Sequence, residues 1–206
     1  MKTLTEHWNK IFKKTDENKL GWYEEDFSQT LKFLNIIPKW ESLKIFVPGV
    51  GTSGLIKLLL NSNAELVLND LSSEAIEKAK KKYGGNTGKA QWLCHDISRP
   101  LPVEFKGDID IWLDRAVLHF LIDDTGVEQY FKNVHAAVKI GGYAIFAEFS
   151  KKGATKCAGL DVKRYDVQDL EKNFPAFELI ASEEYTYINP NGDPRPYIYA
   201  LFKREK

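Results

Sequence analysis

The stretch from residue 43 to residue 54 reads Leu43-Lys44-Ile45-Phe46-Val47-Pro48-Gly49-Val50-Gly51-Thr52-Ser53-Gly54. Its apolar first half predicts a buried strand, and its glycines predict a tight turn in which the backbone can approach a ligand closely. The apolar run that follows, Leu55–Leu60, predicts a helix whose first N–H groups are unpaired at the turn. We therefore expect this turn to contact a ligand through its backbone.

An acidic residue ends the next apolar run. Residues 65–69 predict a second strand, and Asp70 comes directly after it. A strand, a glycine turn, a helix and a second strand with an acid at its end begin a Rossmann-type unit, in which the carboxylate accepts hydrogen bonds from ribose hydroxyls. The motif therefore predicts an adenosine-containing cofactor. It fits a nicotinamide dinucleotide and S-adenosylmethionine equally well.

The composition argues against several function classes. The chain has 29 lysines and arginines and 29 aspartates and glutamates, so no net positive field attracts nucleic acid or an anionic membrane. We find no basic stripe with interleaved aromatics, and no apolar segment typical of a leader or a bilayer span. Two cysteines without metal-ligand spacing, Cys94 and Cys157, indicate a reducing compartment. We expect a cytoplasmic protein without a metal site, and we expect Cys94 to be a core residue.

Strands alternate with helices along the rest of the chain. Candidate strands cover residues 43–48, 65–69, 90–94, 108–113 and 142–148. Two further β-like runs, 178–188 and 197–202, are joined by a turn rich in Pro, Asn and Gly. This order predicts an α/β fold with a Rossmann-like, doubly wound sheet of seven strands. The sheet is expected to be mostly parallel, with a C-terminal antiparallel hairpin and helices on both faces.

Residue patterns at helix ends predict where several helices begin and stop. Thr3-x-x-Glu6 and Thr125-x-x-Glu128 have the spacing of a capping box. Ser72 or Ser73 is placed to cap the helix after the second strand. The pair Gly141-Gly142 predicts the end of the helix that starts near Thr125, and the turn into the fifth strand.

Polar residues follow the third and fourth candidate strands. Asp96 comes after the third strand with Ile97 beside it, and Asp114 and Arg115 end the fourth. A doubly wound sheet binds its ligand outside the carboxyl ends of its strands. Asp96 is therefore placed for an adenine amino group, and Asp114 and Arg115 are placed near the reacting end of the ligand. A hydride-transferring enzyme would need room for a substrate domain or an internal pair such as Tyr-x-x-x-Lys, and that spacing occurs only as Tyr199 and Lys203 in the last strand.

The order of these elements, with the antiparallel hairpin at the end, resembles a class I S-adenosylmethionine-dependent methyltransferase from about Trp8 onward. The resemblance implies S-adenosylmethionine as cofactor and S-adenosylhomocysteine as its product. It assigns the turn Gly49, Val50 and Gly51 to the methionine part, Asp70 to the ribose, Leu71 to the adenine face, Asp96 and Ile97 to the adenine, and Asp114 to the region of the methionine part and the acceptor.

One position departs from the family pattern. Many members carry an acid two residues before the first glycine, and this position is Val47 here, followed by Pro48. In the family, that acid helps to hold the methionine ammonium. The resemblance therefore implies that in this chain a backbone carbonyl or another acid contacts the ammonium.

The first residues carry aromatic side chains that resemble those of a subset of small methyltransferases. Trp8 and Phe12 lie on one face of the first predicted helix, and Trp22 and Tyr23 follow a polar loop. We expect these four residues to cover the cofactor, since an aromatic face attracts a sulfonium as it attracts an ammonium. The alternative is that they only bury the N-terminal helices against the sheet.

Several side chains are candidates for the chemistry of the acceptor. His119 can take a proton from a thiol or amine, or it can bond locally on a helix. Arg115 can anchor an acidic acceptor or the cofactor carboxylate, or pair with the acid before it. Arg164 and Tyr165 follow the fifth strand, where a loop can close over the acceptor. Tyr23 is the candidate from the expected lid.

The leading interpretation is direct, in-line transfer of a methyl group to a small molecule, a thiol or an amine. A protein-lysine methyltransferase is the first alternative, and a nicotinamide-binding reductase or a non-catalytic nucleotide-binding module is the second. Residues 1–206 are expected to form one domain, with a lid at residues 1–38 and a catalytic core at residues 43–206. The expected partner is the small-molecule acceptor, and neither nucleic acid nor a membrane is expected.

Overall fold

In the computed structural model, the structure describes residues 3–84 and 88–206. Seven strands form one sheet with the order β3-β2-β1-β4-β5-β9-β8. These strands are β1 (Lys44–Val47), β2 (Glu65–Asp70), β3 (Ala90–Cys94), β4 (Ile109–Arg115), β5 (Val138–Phe149), β8 (Phe177–Ile188) and β9 (Pro194–Arg204). The first five are parallel, and β9 is antiparallel to both β5 and β8. This topology confirms the predicted fold class.

Helices cover both faces of this sheet. They are α1 (Leu4–Lys14), α2 (Ser28–Leu34), α3 (Leu55–Leu60), α4 (Ser73–Tyr83), α5 (Asp124–Ala137) and α6 (Val167–Glu171). The apolar sides of α2, α3 and α4 pack into one hydrophobic core, and those of α5 and α6 pack into a second core on the opposite face. A separate antiparallel pair, β6 (Lys156–Cys157) and β7 (Leu160–Asp161), follows β5.

The order of the strands places the ligand crevice. The chain runs outward from β1 to β2 and β3, and then returns to the other side of β1 with β4. In an open α/β sheet, the crevice lies at this reversal, outside the carboxyl ends of the strands. The glycine turn after β1, Asp70 at the end of β2 and Arg115 at the end of β4 therefore meet at one edge of the sheet.

Two of the predicted helix starts are confirmed. Thr3 and Glu6 form a complete capping box, in which Thr3 Oγ1 accepts from the Glu6 backbone N–H at 3.2 Å and Glu6 Oε2 accepts from that of Thr3 at 2.9 Å. Ser72 caps α4 through a 3.1 Å hydrogen bond from the Ala75 N–H.

Three local predictions are wrong. Asp123, not Thr125, caps α5, because its carboxylate accepts from the Gly126 N–H at 2.8 Å and leaves Thr125 inside the first turn. Gly141 and Gly142 do not end the helix, which stops at Ala137; they lie within β5, where the pairing with β4 shifts register. A Cβ on Gly142 would lie 2.9 Å from a backbone oxygen of β4, so glycine is needed for the close approach of the strands. Cys94 is exposed at the end of β3 and is not a core residue.

Candidate active site

A cavity lies at the reversal of strand order, between the sheet edge and the N-terminal segment. Most of the predicted site residues line it: Trp8, Trp22, Tyr23, Gly49, Val50, Gly51, Asp70, Leu71, Asp96, Ile97, Arg115 and His119. Asp114, Arg164 and Tyr165 do not. The roles predicted for the lining residues stay predictions, but the fold does bring these distant segments together.

The floor of the cavity is the glycine turn. Gly49 and Gly51 both have positive φ angles, of 56° and 54°, which side-chain-bearing residues rarely adopt. A Cβ on Gly49 would lie 2.2 Å from Val117 Cγ2, and one on Gly51 would lie 3.3 Å from Phe12 Cζ. The turn therefore packs directly against the segment after β4 on one side and against α1 on the other.

Asp70 supports this turn from the end of β2. Its Oδ2 accepts a hydrogen bond from the Gly51 N–H and its Oδ1 accepts one from the Ser72 N–H, each at 2.8 Å. The side chain is buried, and this desolvation raises the pKa of Asp70 to about 6. Each carboxylate oxygen keeps a further lone pair, which is the acceptor capacity that two ribose hydroxyls require.

The predicted adenine end of the cavity has one polar and one apolar wall residue. Asp96 Oδ1 accepts from the Ser98 backbone N–H at 3.0 Å, and its Oδ2 lies 3.6 Å from Arg99 Nε. Ile97 is buried beside it. This combination suits a flat heterocycle with a hydrogen-bonding edge.

Aromatic side chains of the N-terminal segment roof the cavity. The Trp8 ring lies edge-on to those of Trp22 and Phe120, with centroid separations of 5.5 and 4.9 Å. The segment is tied to the core, because the hydroxyl of Tyr187 donates to the backbone oxygen of Tyr23. The N-terminal aromatics therefore line the cavity and also pack against buried residues, and their role as a cover over the cofactor stays a prediction.

Arg115 forms an ion pair with a residue of this roof. Its Nη2 lies 2.8 Å from Glu24 Oε2, and the two side chains are only 10% and 4% exposed. The sequence allowed a pair with Asp114 instead. That pair does not form, because successive side chains of a strand point to opposite faces of the sheet.

His119 lies in a 3₁₀ turn, Leu118–Phe120, and its side chain is fully buried. Its Nδ1 lies 2.7 Å from Glu148 Oε2, and its backbone N–H donates to the same oxygen at 3.2 Å. Burial lowers the pKa of His119 to about 3 and raises the pKa of Glu148 to about 8. At neutral pH the imidazole is therefore uncharged and keeps a nitrogen lone pair.

The position of Asp114 corrects the expectation that its side chain contacts the cofactor. The side chain is fully buried beneath the sheet edge and is not in the cavity wall. It accepts hydrogen bonds from the backbone N–H groups of Val117 and Leu118 at 3.0 and 3.1 Å, and from the hydroxyl of Tyr130. Asp114 therefore holds the segment that carries His119.

Arg164 and Tyr165 also lie outside the cavity, contrary to their prediction as acceptor-site residues. Arg164 donates to the backbone oxygen of Lys151 at 2.8 Å, so it closes the loop after β5 on itself. Tyr165 is 2% exposed and belongs to the hydrophobic core on the α5 side of the sheet. The loop after β5 instead brings Cys157 into the cavity wall.

Other residues of the site were missed in the sequence. Glu24 directly follows the Trp22-Tyr23 pair, and Phe120 directly follows His119, so both were adjacent to candidates. Glu148 had a clearer signal, since it is a charged residue within a buried apolar strand, and a buried charge needs a partner.

Unpartnered polar atoms show that the cavity fits a polar ligand. Asn69 Oδ1, His95 Nε2, Arg115 Nε and His119 Nε2 are buried, and within residues 3–84 and 88–206 none has a hydrogen-bond partner. All four residues line the cavity. Because buried polar groups are nearly always hydrogen-bonded, they indicate contacts that a bound ligand completes.

The described part of the chain contains neither a cluster of metal-ligating side chains nor a helix able to cross a membrane. No group of three or more His, Cys, Asp or Glu side chains there is arranged to hold a metal ion. Among the helices of the same residues, none combines the length and apolar character needed to cross a membrane.

Comparison with known proteins identifies the class. A family described as "Methyltransferase domain" matches residues 48–144. An uncharacterised methyltransferase of Oceanobacillus iheyensis is 26% identical over 194 residues, which are 89% of this chain and 87% of that protein. A phosphoethanolamine N-methyltransferase of Triticum aestivum is 23% identical over 133 residues, 64% of this chain. The match covers only 26% of the wheat protein.

A solved structure shows the same fold with ligands. The 1,6-didemethyltoxoflavin-N1-methyltransferase of Burkholderia thailandensis, with bound 1,6-didemethyltoxoflavin and S-adenosylhomocysteine, superposes with a TM-score of 0.68. The two chains are 12% identical, and the superposition covers 95% of this chain and 81% of that one.

The strand order, the glycine turn with Asp70 and these matches support the assignment of the chain to the class I S-adenosylmethionine-dependent methyltransferases. Its cofactor is S-adenosylmethionine. The nicotinamide-binding alternative is therefore set aside.

Trp22 provides a test of the roof. We expect Trp22→Ala to weaken binding of S-adenosylmethionine by roughly 2- to 30-fold, because a sulfonium near an aromatic face gains about 0.5–2 kcal/mol. The sulfur of S-adenosylhomocysteine is an uncharged thioether, so Trp22→Ala should weaken the binding of this ligand less. Calorimetric titration of both ligands measures the difference.

The matched control is Trp92→Ala, since Trp92 packs on the α4 side of the core and does not line the cavity. Equal losses for both ligands, or a fall in melting temperature as the main effect, would show that Trp22 only packs the N-terminal segment.

Proposed function

We propose that this protein methylates a small-molecule thiol or amine. The observation that carries the proposal is the roof of the cavity, which residues of the N-terminal segment make from the same chain. Trp8, Trp22 and Tyr23 line this side of the cavity, whereas a protein-modifying enzyme needs an open groove for a peptide. A covered cavity supports an acceptor small enough to be enclosed.

The chain's own residues hold the cofactor in this proposal. The glycine turn lies under the methionine part, Asp70 accepts from the ribose hydroxyls, and Leu71, Asp96 and Ile97 bound the adenine. When bound, S-adenosylmethionine supplies a methyl group on a positively charged sulfur, which is already reactive toward nucleophiles. The protein has to align the acceptor and exclude water, and alignment of this kind lowers a barrier by roughly 7–11 kcal/mol.

His119 and Glu148 remove the proton of the acceptor. His119 is one of the residues that line the cavity, and its Nε2 has no hydrogen-bond partner in the described residues. Its Nδ1 lies 2.7 Å from the Glu148 carboxylate, although the two are not aligned as a hydrogen bond. An acceptor thiol or ammonium gives its proton to Nε2, and the Nδ1 proton moves to Glu148. The raised pKa of Glu148, about 8, suits a group that takes up this proton.

Two relatives support a small-molecule acceptor by their names alone. The wheat protein is called a phosphoethanolamine N-methyltransferase, and the Burkholderia structure contains 1,6-didemethyltoxoflavin. Both names describe methylation of nitrogen in a small molecule. We extend this acceptor class, and not either substrate, to the present chain.

The test is transfer of a labelled methyl group. Purified protein is incubated with methyl-labelled S-adenosylmethionine and a cell extract, and the products are separated into protein, small-molecule and volatile fractions. We expect label in the small-molecule or volatile fraction, after which a panel of thiols and amines identifies the acceptor group.

The Asp70→Ala variant, prepared in the same way, is the control for contaminating activity. Label in a discrete protein band would contradict the proposal and favour the protein-lysine alternative. Label that is the same with the variant would show that it comes from another enzyme.

A further inference from the structure

We infer that Glu24 and Arg115 together bind the α-amino acid end of the cofactor, Glu24 its ammonium and Arg115 its carboxylate. This inference concerns cofactor binding and does not depend on the acceptor proposed above. It answers the question raised by Val47, which occupies the position at which the family's acid would hold the ammonium.

The carboxylate has one candidate cation. Of the described residues that line the cavity, Arg115 alone is a lysine or arginine. Its Nε lacks a partner, although the side chain is 90% buried and its other nitrogens contact Glu24 and the backbone oxygen of Trp22. The rings of Tyr187 and Tyr197 lie 5.5 and 5.8 Å from its Cζ and hold the guanidinium in place. An unpaired N–H on a buried, fixed guanidinium is suited to a second carboxylate.

The ammonium is assigned to Glu24 by comparing the acids of the cavity. Asp70 already accepts from the N–H groups of Gly51 and Ser72, and Asp96 accepts from Ser98. Within residues 3–84 and 88–206, the only ion pair of Glu24 is the one with Arg115, and its side chain is 4% exposed. Burial raises the pKa of Glu24 although Arg115 lowers it, so the ion pair offsets only part of the cost of burying this carboxylate.

The pair also lies at the correct end of the cavity. Gly49 packs against Val117, two residues after Arg115, so the end of β4 abuts the turn that takes the methionine part. A zwitterion presents one charge to each member of the pair and adds no net charge. Since burying two charges costs free energy unless each is well partnered, the bound zwitterion stabilises a pair that is costly on its own.

The experiment compares two ligands that differ in this end alone. S-adenosylhomocysteine carries the α-amino acid, and 5′-methylthioadenosine has the same nucleoside and thioether without it. Calorimetry gives the affinity of each for the wild-type protein, for Glu24→Gln and for the double variant Glu24→Gln/Arg115→Met. The double variant removes both charges, so neither is left buried and unpaired.

We expect Glu24→Gln to weaken S-adenosylhomocysteine binding by roughly 10- to 150-fold, the range for a lost hydrogen bond to a charged group. The double variant should lose most of the preference of the wild-type protein for S-adenosylhomocysteine over 5′-methylthioadenosine. The affinity for 5′-methylthioadenosine itself should change less than about twofold. Glu25→Gln is the matched control, because the Glu25 side chain is exposed next to Glu24.

Other outcomes overturn the inference. Equal losses for both ligands would show that the pair only fastens the N-terminal segment. Unchanged binding of both ligands would show that the pair does not hold the α-amino acid end of the cofactor. Because the assay measures binding without turnover, it remains decisive even if no methyl acceptor is found.

Discussion

Replacing Asp70 with alanine is expected to weaken S-adenosylhomocysteine binding by roughly 10- to 150-fold for each ribose hydroxyl that loses its acceptor. The carboxylate is buried in the cavity wall, so water cannot replace it as it would at an exposed site. The same carboxylate holds the N–H groups of Gly51 and Ser72, so the glycine turn also loses support. Calorimetric titration of the folded variant measures the loss.

Two further variants separate binding from folding. Asp70→Asn keeps the shape and one acceptor oxygen, and we expect an intermediate affinity. Glu65→Gln removes a carboxylate at the exposed start of the same strand and should leave binding unchanged. A folded Asp70→Ala protein with wild-type affinity would refute the ribose assignment.

The second large effect concerns His119. Under the proposed mechanism, His119→Ala should lower kcat by roughly 100- to 10,000-fold, the usual range for loss of a general base, with little change in S-adenosylhomocysteine affinity. Glu148→Gln should act in the same direction, because the amide cannot take up the Nδ1 proton. The acceptor found in the labelling experiment provides the assay.

The pH profile gives an independent measure of this relay. Glu148 takes up a proton only when ionised, and burial raises its pKa to about 8. The wild-type kcat should therefore rise with pH to a plateau above about 8, and Glu148→Gln should abolish that rise. The charges of Asp114 and Arg115 also act on His119, with Asp114 opposing and Arg115 favouring loss of the imidazole proton.

His135→Ala is the matched control for His119→Ala. His135 lies in α5 and does not line the cavity, and its Nε2 lies 2.9 Å from the backbone oxygen of Asn173. Its replacement should leave kcat and the pH profile unchanged. A His119→Ala enzyme with normal kcat would assign His119 a purely structural role.

The fold could be predicted from local patterns because each pattern has a local physical cause. The strand, glycine turn and helix between Leu43 and Leu60 are specified by apolar runs and by two positive-φ glycines. The errors at Thr125 and Gly141 are also local. A competing cap at Asp123 was equally good by sequence, and a glycine pair required for close strand approach looks the same as one that ends a helix.

The site was only partly predictable, because its charges are paired between distant segments. Nothing near Glu24 in the sequence indicates that it meets Arg115, 91 residues later, and nothing near His119 indicates Glu148. Asp114 and Arg115 are neighbours with the same sequence signal. Because side chains alternate along β4, Asp114 lies beneath the sheet edge and Arg115 lies in the cavity.

The sequence by itself determined the class of this protein, since order of elements, glycine turn and acid after β2 are features of consecutive residues. Tertiary structure decided which polar groups face the ligand and which support the backbone. The physical reason is that burial and partnership set the charge state and availability of each group, and both depend on segments far apart in the chain.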